Sequence, residues 1–325
     1  MKHKLIGKPG RIMSFLDIGT NAVRLAIVRF NGRHKYEIIC EKRAPARLGA
    51  GMYASGRLSA AAIIRTVAAC KHFCRTSKIL GARKVVAVMT SAGREALNGR
   101  TLINSIRRVT GLKPLILSEL NEARLIYSGI LGSFIHKGKS ALVMEIGGGT
   151  TEIASGRGRA CKVAMALKIG AVRMKHLYPV IGGKRPVAEI AYGKIVDELK
   201  TMLRPRLDKF ANTRFDLVFG SAGTICSIAD IFSRLHDRER SAKKIISFGQ
   251  VRKTARFLCG LSLAQRKDTL NIQPDRADII IGGAAILEAL MSLLKIKFIR
   301  ISRSGLREGL ILNAQPPFPP GNHSG

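Results

Sequence analysis

Residues 15–28, FLDIGTNAVRLAIV, and residues 142–155, LVMEIGGGTTEIAS, follow one order: an apolar strand, an acid, Ile, Gly, two small residues and a second strand. The acids are Asp17 and Glu145. Each copy opens a stretch in which strands alternate with helices, the pattern of an α/β protein. Two copies of one opening unit constrain the fold more than any other feature of the chain. They imply a duplicated, two-lobed molecule with a cleft between the lobes.

In the first half, SFLDIG and VRLAIVRF are expected as strands joined at Gly19–Asn21, and YEIICEKRAPARLG as a strand running into a loop. The apolar periodicity of SAAAIIRTVAACKHFCRTSKIL predicts a helix capped by Ser59. KVVAVMT reads as a buried strand, and SAGREALNGRTLINSIRRVTG as one helix closed by Gly111. A short strand, KPLILS, and a helix, ELNEARLIYSGILG, follow. In the second half, two strands again surround a glycine turn, and long helices then alternate with the strands FDLVFG and FIRIS. The lobes are placed at residues 12–130 and 131–313, with the Pro/Gly-rich residues 314–325 as a flexible tail.

Glycines in a strand-to-strand turn leave backbone N–H groups open to an anion, because no side chain blocks the approach. A carboxylate ending the preceding strand would repel that anion unless a divalent cation lay between them. Mg²⁺ takes one or two carboxylates together with phosphate oxygens and water. Asp17 and Glu145 are therefore expected to hold Mg²⁺, or another divalent cation, across the cleft. GSAGT, residues 220–224, follows an apolar strand and makes a third phosphate-cradling loop. Rival motifs fail: SFIHKGKS (133–140) has Ser133 at the first P-loop glycine and leads into the strand ALVMEI, whereas a P-loop lysine opens a helix. No GxGxxG precedes a helix.

Charge bears on partners. Lys and Arg number 56 against 21 Asp and Glu, a net +35, which attracts polyanions. The cations are scattered over an otherwise apolar-rich chain, as on the surface of a folded body. No nucleic-acid recognition module is present, so specific nucleic-acid binding is not expected. No apolar run reaches the roughly 18 residues of a membrane span, MKHKLIGKPGR lacks the apolar core of a secretion signal, and the six Cys form no framework. A cytoplasmic protein without a membrane partner is expected.

Taken together, LDIGTNAVRLAIV, RLGAGMYASGRLS, MTSAGREALN, NEARLIYSGI, MEIGGGTTEIASG, LKIGAVRM, GSAGT, DRADIIIGGAAILEAL and GLREGLI stand in the order of one known family. The chain resembles the exopolyphosphatase/guanosine pentaphosphate phosphatase family, in its short two-domain form, from about residue 14 to 312. The resemblance implies an actin/hexokinase/Hsp70-like (ribonuclease H-like) α/β fold and Mg²⁺-dependent release of terminal orthophosphate from polyphosphate. Its alternatives are the 5′-phosphate of guanosine pentaphosphate as substrate, or a catalytically weakened polyphosphate or alarmone binder; a homodimer is compatible with it. By resemblance, Glu122 is the catalytic base and Glu152 a second catalytic acid, while Asp17 and Glu145 hold the metal. Gly19, Thr20, Asn21, Gly147, Gly148, Gly149, Thr150, Gly220, Ser221, Ala222, Gly223 and Thr224 would bind phosphates, and Arg94 would stand near the terminal one. Departures from the family pattern are Glu145 for Asp, Ala22 for Ser, Asn121 for an acid, Glu119 for Gly and Arg303 for an acid.

Overall fold

The computed structural model describes residues 10–32, 35–134, 138–211, 213–236, 245–268 and 272–314; beyond Ala314, the expected tail lies outside them. The first sheet has strands β1 (Arg11–Ile18), β2 (Val23–Phe30), β3 (Tyr36–Ala44), β4 (Lys84–Met89) and β5 (Leu115–Ile116), in the order β3-β2-β1-β4-β5. β1, β2 and β3 are antiparallel neighbours, whereas β4 runs parallel to both β1 and β5. The second sheet has β6 (Ser140–Ile146), β7 (Thr151–Arg157), β8 (Ala160–Leu167), β9 (Leu217–Ser221), β10 (Ile245–Ser247) and β11 (Phe298–Ile301). Its order, β8-β7-β6-β9-β11-β10, reproduces the first sheet and adds β10 at one edge. The sequence repeat is thus a repeat of topology, and the expected duplicated, two-lobed α/β architecture holds.

The central strands β1 and β6 are buried on both faces, and their alternation sorts two cores. Leu16 and Ile18 join the core of the first lobe, and Leu142, Met144 and Ile146 that of the second. The intervening Met13, Phe15, Ala141 and Val143 face a third cluster. It is built on the Glu119–Gly132 and Leu306–Asn313 helices through Ile126, Tyr127, Ile130, Leu310 and Ile311. Asp17 and Glu145 continue the alternation of Phe15 and Val143, so they fall on the face turned toward the other lobe. The two junction helices meet backbone to backbone. A Cβ on Gly129 would lie 2.1 Å from the Gly305 carbonyl oxygen, and one on Gly309 2.0 Å from that of Leu125.

Ser59 caps the Ala60–Ile79 helix by accepting the Ala62 N–H, as its sequence requires. The single helix expected over 91–111 is instead two, Ser91–Glu95 and Gly99–Thr110, broken at an extended Ala96. The Asn98 amide bonds both the N–H and the C=O of Leu58, a tertiary contact that outweighs helical periodicity. Gly111 (φ 74°) closes the second helix as expected.

Among the described residues, four ion pairs join the lobes: Arg43 with Asp275, Arg47 with Asp278 (2.5 Å), Glu95 with Arg173 (2.6 Å) and Glu41 with Arg307 (2.8 Å). Replacing Gly309 with Ala is expected to cost about 1–3 kcal/mol or more, since a methyl group cannot enter a backbone contact without moving a helix. The measurement is a urea midpoint; an unchanged value would contradict backbone contact between the helices.

Candidate active site

Both glycine turns are closed alike, Gly19 N–H donating to Ala22 C=O (3.1 Å) and Gly147 N–H to Thr150 C=O (2.9 Å). Across each turn the strands keep an equivalent register, so Asp17 stands opposite Arg24 and Glu145 opposite Glu152. The first lobe therefore pairs acid with base where the second pairs acid with acid. Like charges directly opposed on a sheet are destabilising, which marks Glu145 and Glu152 as a site kept for chemistry. The departure from the repeat is the clue.

The glycines of the second turn are needed for close approach. A Cβ on Gly148 would lie 2.9 Å from Thr20 Cβ, and one on Gly149 2.0 Å from Tyr53 Oη and 2.1 Å from Ser91 Oγ. The two turns thus abut across the cleft, with Thr20 Oγ1 also accepting the Ala92 N–H at 3.2 Å. Among the described residues, the amides of Gly148, Gly149 and Thr150 make no backbone hydrogen bond, which leaves them available to an anion. Asn21 lines the cleft, and its side chain has a further contact. Its Nδ2 donates across the cleft to Asp275 Oδ2 (2.8 Å) and the Asp275 carbonyl (3.2 Å), so its side chain ties the lobes together.

GSAGT is not a loop. β9 ends at Ser221 and the Ala222–His236 helix begins at once, with Ala222 in the left-handed region at φ 65°. A non-glycine residue held there marks a constrained junction. Ala222, Gly223 and Thr224 line the cleft. Gly220 instead faces Ile225 and Ile299 in the core, and Ser221 Oγ donates to Glu145 Oε2 at 2.5 Å. In the first lobe, β4 leads through Thr90 into Ser91–Glu95 at the same topological place. The tripeptide SAG occurs at both junctions, 91–93 and 221–223, an echo that would have added Ser91 to the expected cleft residues.

Glu122 lies in the first turn of the Glu119–Gly132 helix, which Ser118 caps by accepting the Asn121 N–H. Arg94 Nη1 donates to Glu122 Oε2 (2.9 Å) and to the Leu117 carbonyl (2.7 Å). Among the described residues its Nε and Nη2 have no hydrogen-bond partner, Nη2 lying 3.9 Å from Glu119 Oε1, and Asp17 Oδ1 and Glu152 Oε1 are likewise buried without one. Burial lifts all four carboxyls above their ordinary range. It raises Glu122 and Glu145 to about 7, with the Arg94 and Ser221 hydrogen bonds respectively opposing the rise. Glu152 is held well above its ordinary value by burial and then by the Glu122 charge, and Asp17 is raised by burial against the pull of Arg24. Four carboxylates in one dry cleft cannot all ionise without a counter-charge.

These acids, both turns and the second junction enclose a cavity of about 90 Å³. Arg94 stands behind Glu122 rather than on its wall. Three arginines that motif reading missed, Arg24, Arg43 and Arg276, are on the wall. Arg24 could have been found by aligning the repeats, since it occupies the place of Glu152; Arg43 and Arg276 arrive from distant segments and leave no local signal.

The Ppx/GppA phosphatase family pattern matches residues 26–318. Exopolyphosphatase 1 of Mycobacterium leprae is 27% identical over 92% of this chain and 88% of its own length. The guanosine-5′-triphosphate,3′-diphosphate pyrophosphatase of Photobacterium profundum is 24% identical over 91% of this chain but 58% of its own. Among solved structures, an exopolyphosphatase from Cytophaga hutchinsonii superposes with a TM-score of 0.85 at 21% identity, covering 93% of this chain and 96% of that one. The Aquifex aeolicus Ppx/GppA protein gives 0.75 at 24%, covering 94% and 97%. The chain belongs to the Ppx/GppA phosphatase family.

Proposed function

We propose that the chain is a Mg²⁺-dependent exopolyphosphatase, releasing terminal orthophosphate from inorganic polyphosphate. Family membership makes it a hydrolase of phosphoanhydride bonds. One observation favours polyphosphate over the nucleotide: among the described residues, the cavity that adjoins the cleft is walled by Arg24, Arg234, Arg276, Arg303 and Arg307 and by no aromatic ring. A guanine base would find no stacking partner there, whereas a chain of phosphates finds guanidinium groups.

In this reading a water oxygen attacks the terminal phosphorus, and Glu122 takes the water's proton. The anhydride P–O bond breaks, and its electron pair leaves on the bridging oxygen of the shortened chain. Glu122 suits a general base, because a group titrating near 7 is about half ionised at neutral pH and still basic. Arg94 fixes its carboxylate from behind, through the hydrogen bond to Oε2. Glu152, which neighbours Glu122, helps to place the water, and the turn amides hold the chain. Asp17 and Glu145 would hold the cation; the orphaned Asp17 Oδ1 and the burial of both carboxyls fit a positive charge between them. Among the described residues, no group of three or more His, Cys, Asp or Glu is arranged to cage a metal; Mg²⁺ ordinarily takes one or two carboxylates and completes its shell with phosphate and water. Its chemistry is neutralisation of phosphate charge during transfer.

Glu122→Gln is expected to lower kcat for phosphate release by about 10²–10⁴-fold while polyphosphate binding persists, and kcat/KM of the unmodified enzyme should rise with pH through about 7. Phosphate-release kinetics on polyphosphate and guanosine pentaphosphate check both points; undiminished turnover in the variant would remove Glu122 as the base.

A second expectation needs no turnover. All four carboxyls bind protons more tightly folded than unfolded; for Glu122 and Glu145 the contribution to stability is complete below about 4.5 and is lost as pH rises through about 7. Without divalent cations, the thermal midpoint should therefore fall between pH 5 and 8, and Mg²⁺ should raise it more at pH 8 than at pH 5. A Mg²⁺ effect equal at both pH values would argue against these carboxyls as the metal site.

A further inference from the structure

The cleft cavity continues into a wider one of about 350 Å³ against the Ala222–His236 helix. The two share Arg24, Glu145, Ala222, Gly223, Arg276 and Leu306 as walls, which form a neck between them. Arg276 makes a hydrogen bond to Ser227 Oγ (3.2 Å). Burial, and behind it the like charges of Arg24 and Arg43, press its guanidinium down to about 10. That crowding of cations is relieved by an anion lying in the neck.

Beyond the neck, Arg303 differs from its neighbours. Its side chain is 71% exposed, and its Nη2 lies 2.9 Å from Asp230 Oδ1, so the pair links the segment after β11 to the Ala222–His236 helix on the wall of the wider cavity. An exposed pair of this kind contributes little, because solvent screens it and ordering two long side chains costs entropy. A guanidinium gripping phosphate oxygens through paired, charge-assisted bonds gains more. A polyanion can therefore take Arg303 from Asp230 at little cost, where the acid of the family pattern would repel it.

We propose that Arg303 is a specificity-determining residue: a polyphosphate chain leaving the cleft through the Arg24–Arg276 neck displaces Asp230 and is gripped by Arg303, so that long chains are preferred over short ones. Asp230 acts as the internal competitor. The inference rests on the polyphosphate reading above. Its sign is distinctive, because the two members of one ion pair must act in opposite directions.

The test compares Arg303→Asp, Asp230→Asn and, as a control of equal charge change on an exposed residue outside both cavities, Arg185→Asp. The substrates are long-chain polyphosphate and tripolyphosphate, read as KM against kcat, with equilibrium binding of the same anions to the Glu122→Gln protein carrying each change. Arg303→Asp should raise KM and Kd for the long chain about tenfold and those for tripolyphosphate by less than about threefold, with kcat little altered; Asp230→Asn should lower the long-chain values. Equal losses for both anions, or the same loss in Arg185→Asp, would overturn the proposal and leave only the general field of a basic protein. Absence of turnover in the unaltered protein would refute the hydrolase reading, while the binding measurements would still decide the role of Arg303.

Discussion

Mutual repulsion among four buried carboxyl groups is the constraint around which the molecule is arranged. Asp17, Glu122, Glu145 and Glu152 come from two lobes and the helix between them, and each is less than a tenth exposed. No fold would bring them together for stability. They are tolerated because Arg94, Arg24 and the Ser221 hydroxyl each offset part of the cost, and because protons or a cation can supply the rest. In a chain with only 21 acids, Glu41, Glu95, Asp275 and Asp278 are used at the lobe contacts as well. The exterior is left strongly positive, and the negative charge is concentrated where the lobes meet.

Much of this was legible in sequence because the relevant signals are local. Apolar runs placed β1 and β6, and the acid–glycine order located both turns. The helix that carries Glu122 was read from ELNEARLIYSGILG itself. What escaped reading depended on partners far along the chain. Asn21 looks like a turn residue, yet Asp275 captures its amide. Ala96 breaks an apparently continuous helix because Asn98 is held by Leu58. Gly220 belongs to a glycine motif but faces Ile225 and Ile299. Each case sets a local preference against a tertiary contact, and the contact wins.

The duplication also shows where the two halves have parted. Arg24 and Glu152 hold the same place relative to their turns. In one lobe the partner of the strand acid is a cation that can meet phosphate; in the other it is a second acid beside Glu122 that can meet water. On the exopolyphosphatase reading proposed above, one structural template has supplied a phosphate-facing position in one lobe and a water-facing position in the other.

The glycine contact between the junction helices has a mechanical consequence. Side chains that interdigitate must be withdrawn before two helices can rotate, and close packing resists it. Where Gly129 meets Gly305 and Gly309, the two backbones touch directly, and Ile126, Tyr127, Ile130, Leu310 and Ile311 pack around that point, so the helices are locked at one separation. Glu122, carried on the first of these helices, is therefore held over the cleft by a spacing that backbone contact sets and no rotamer change can relax.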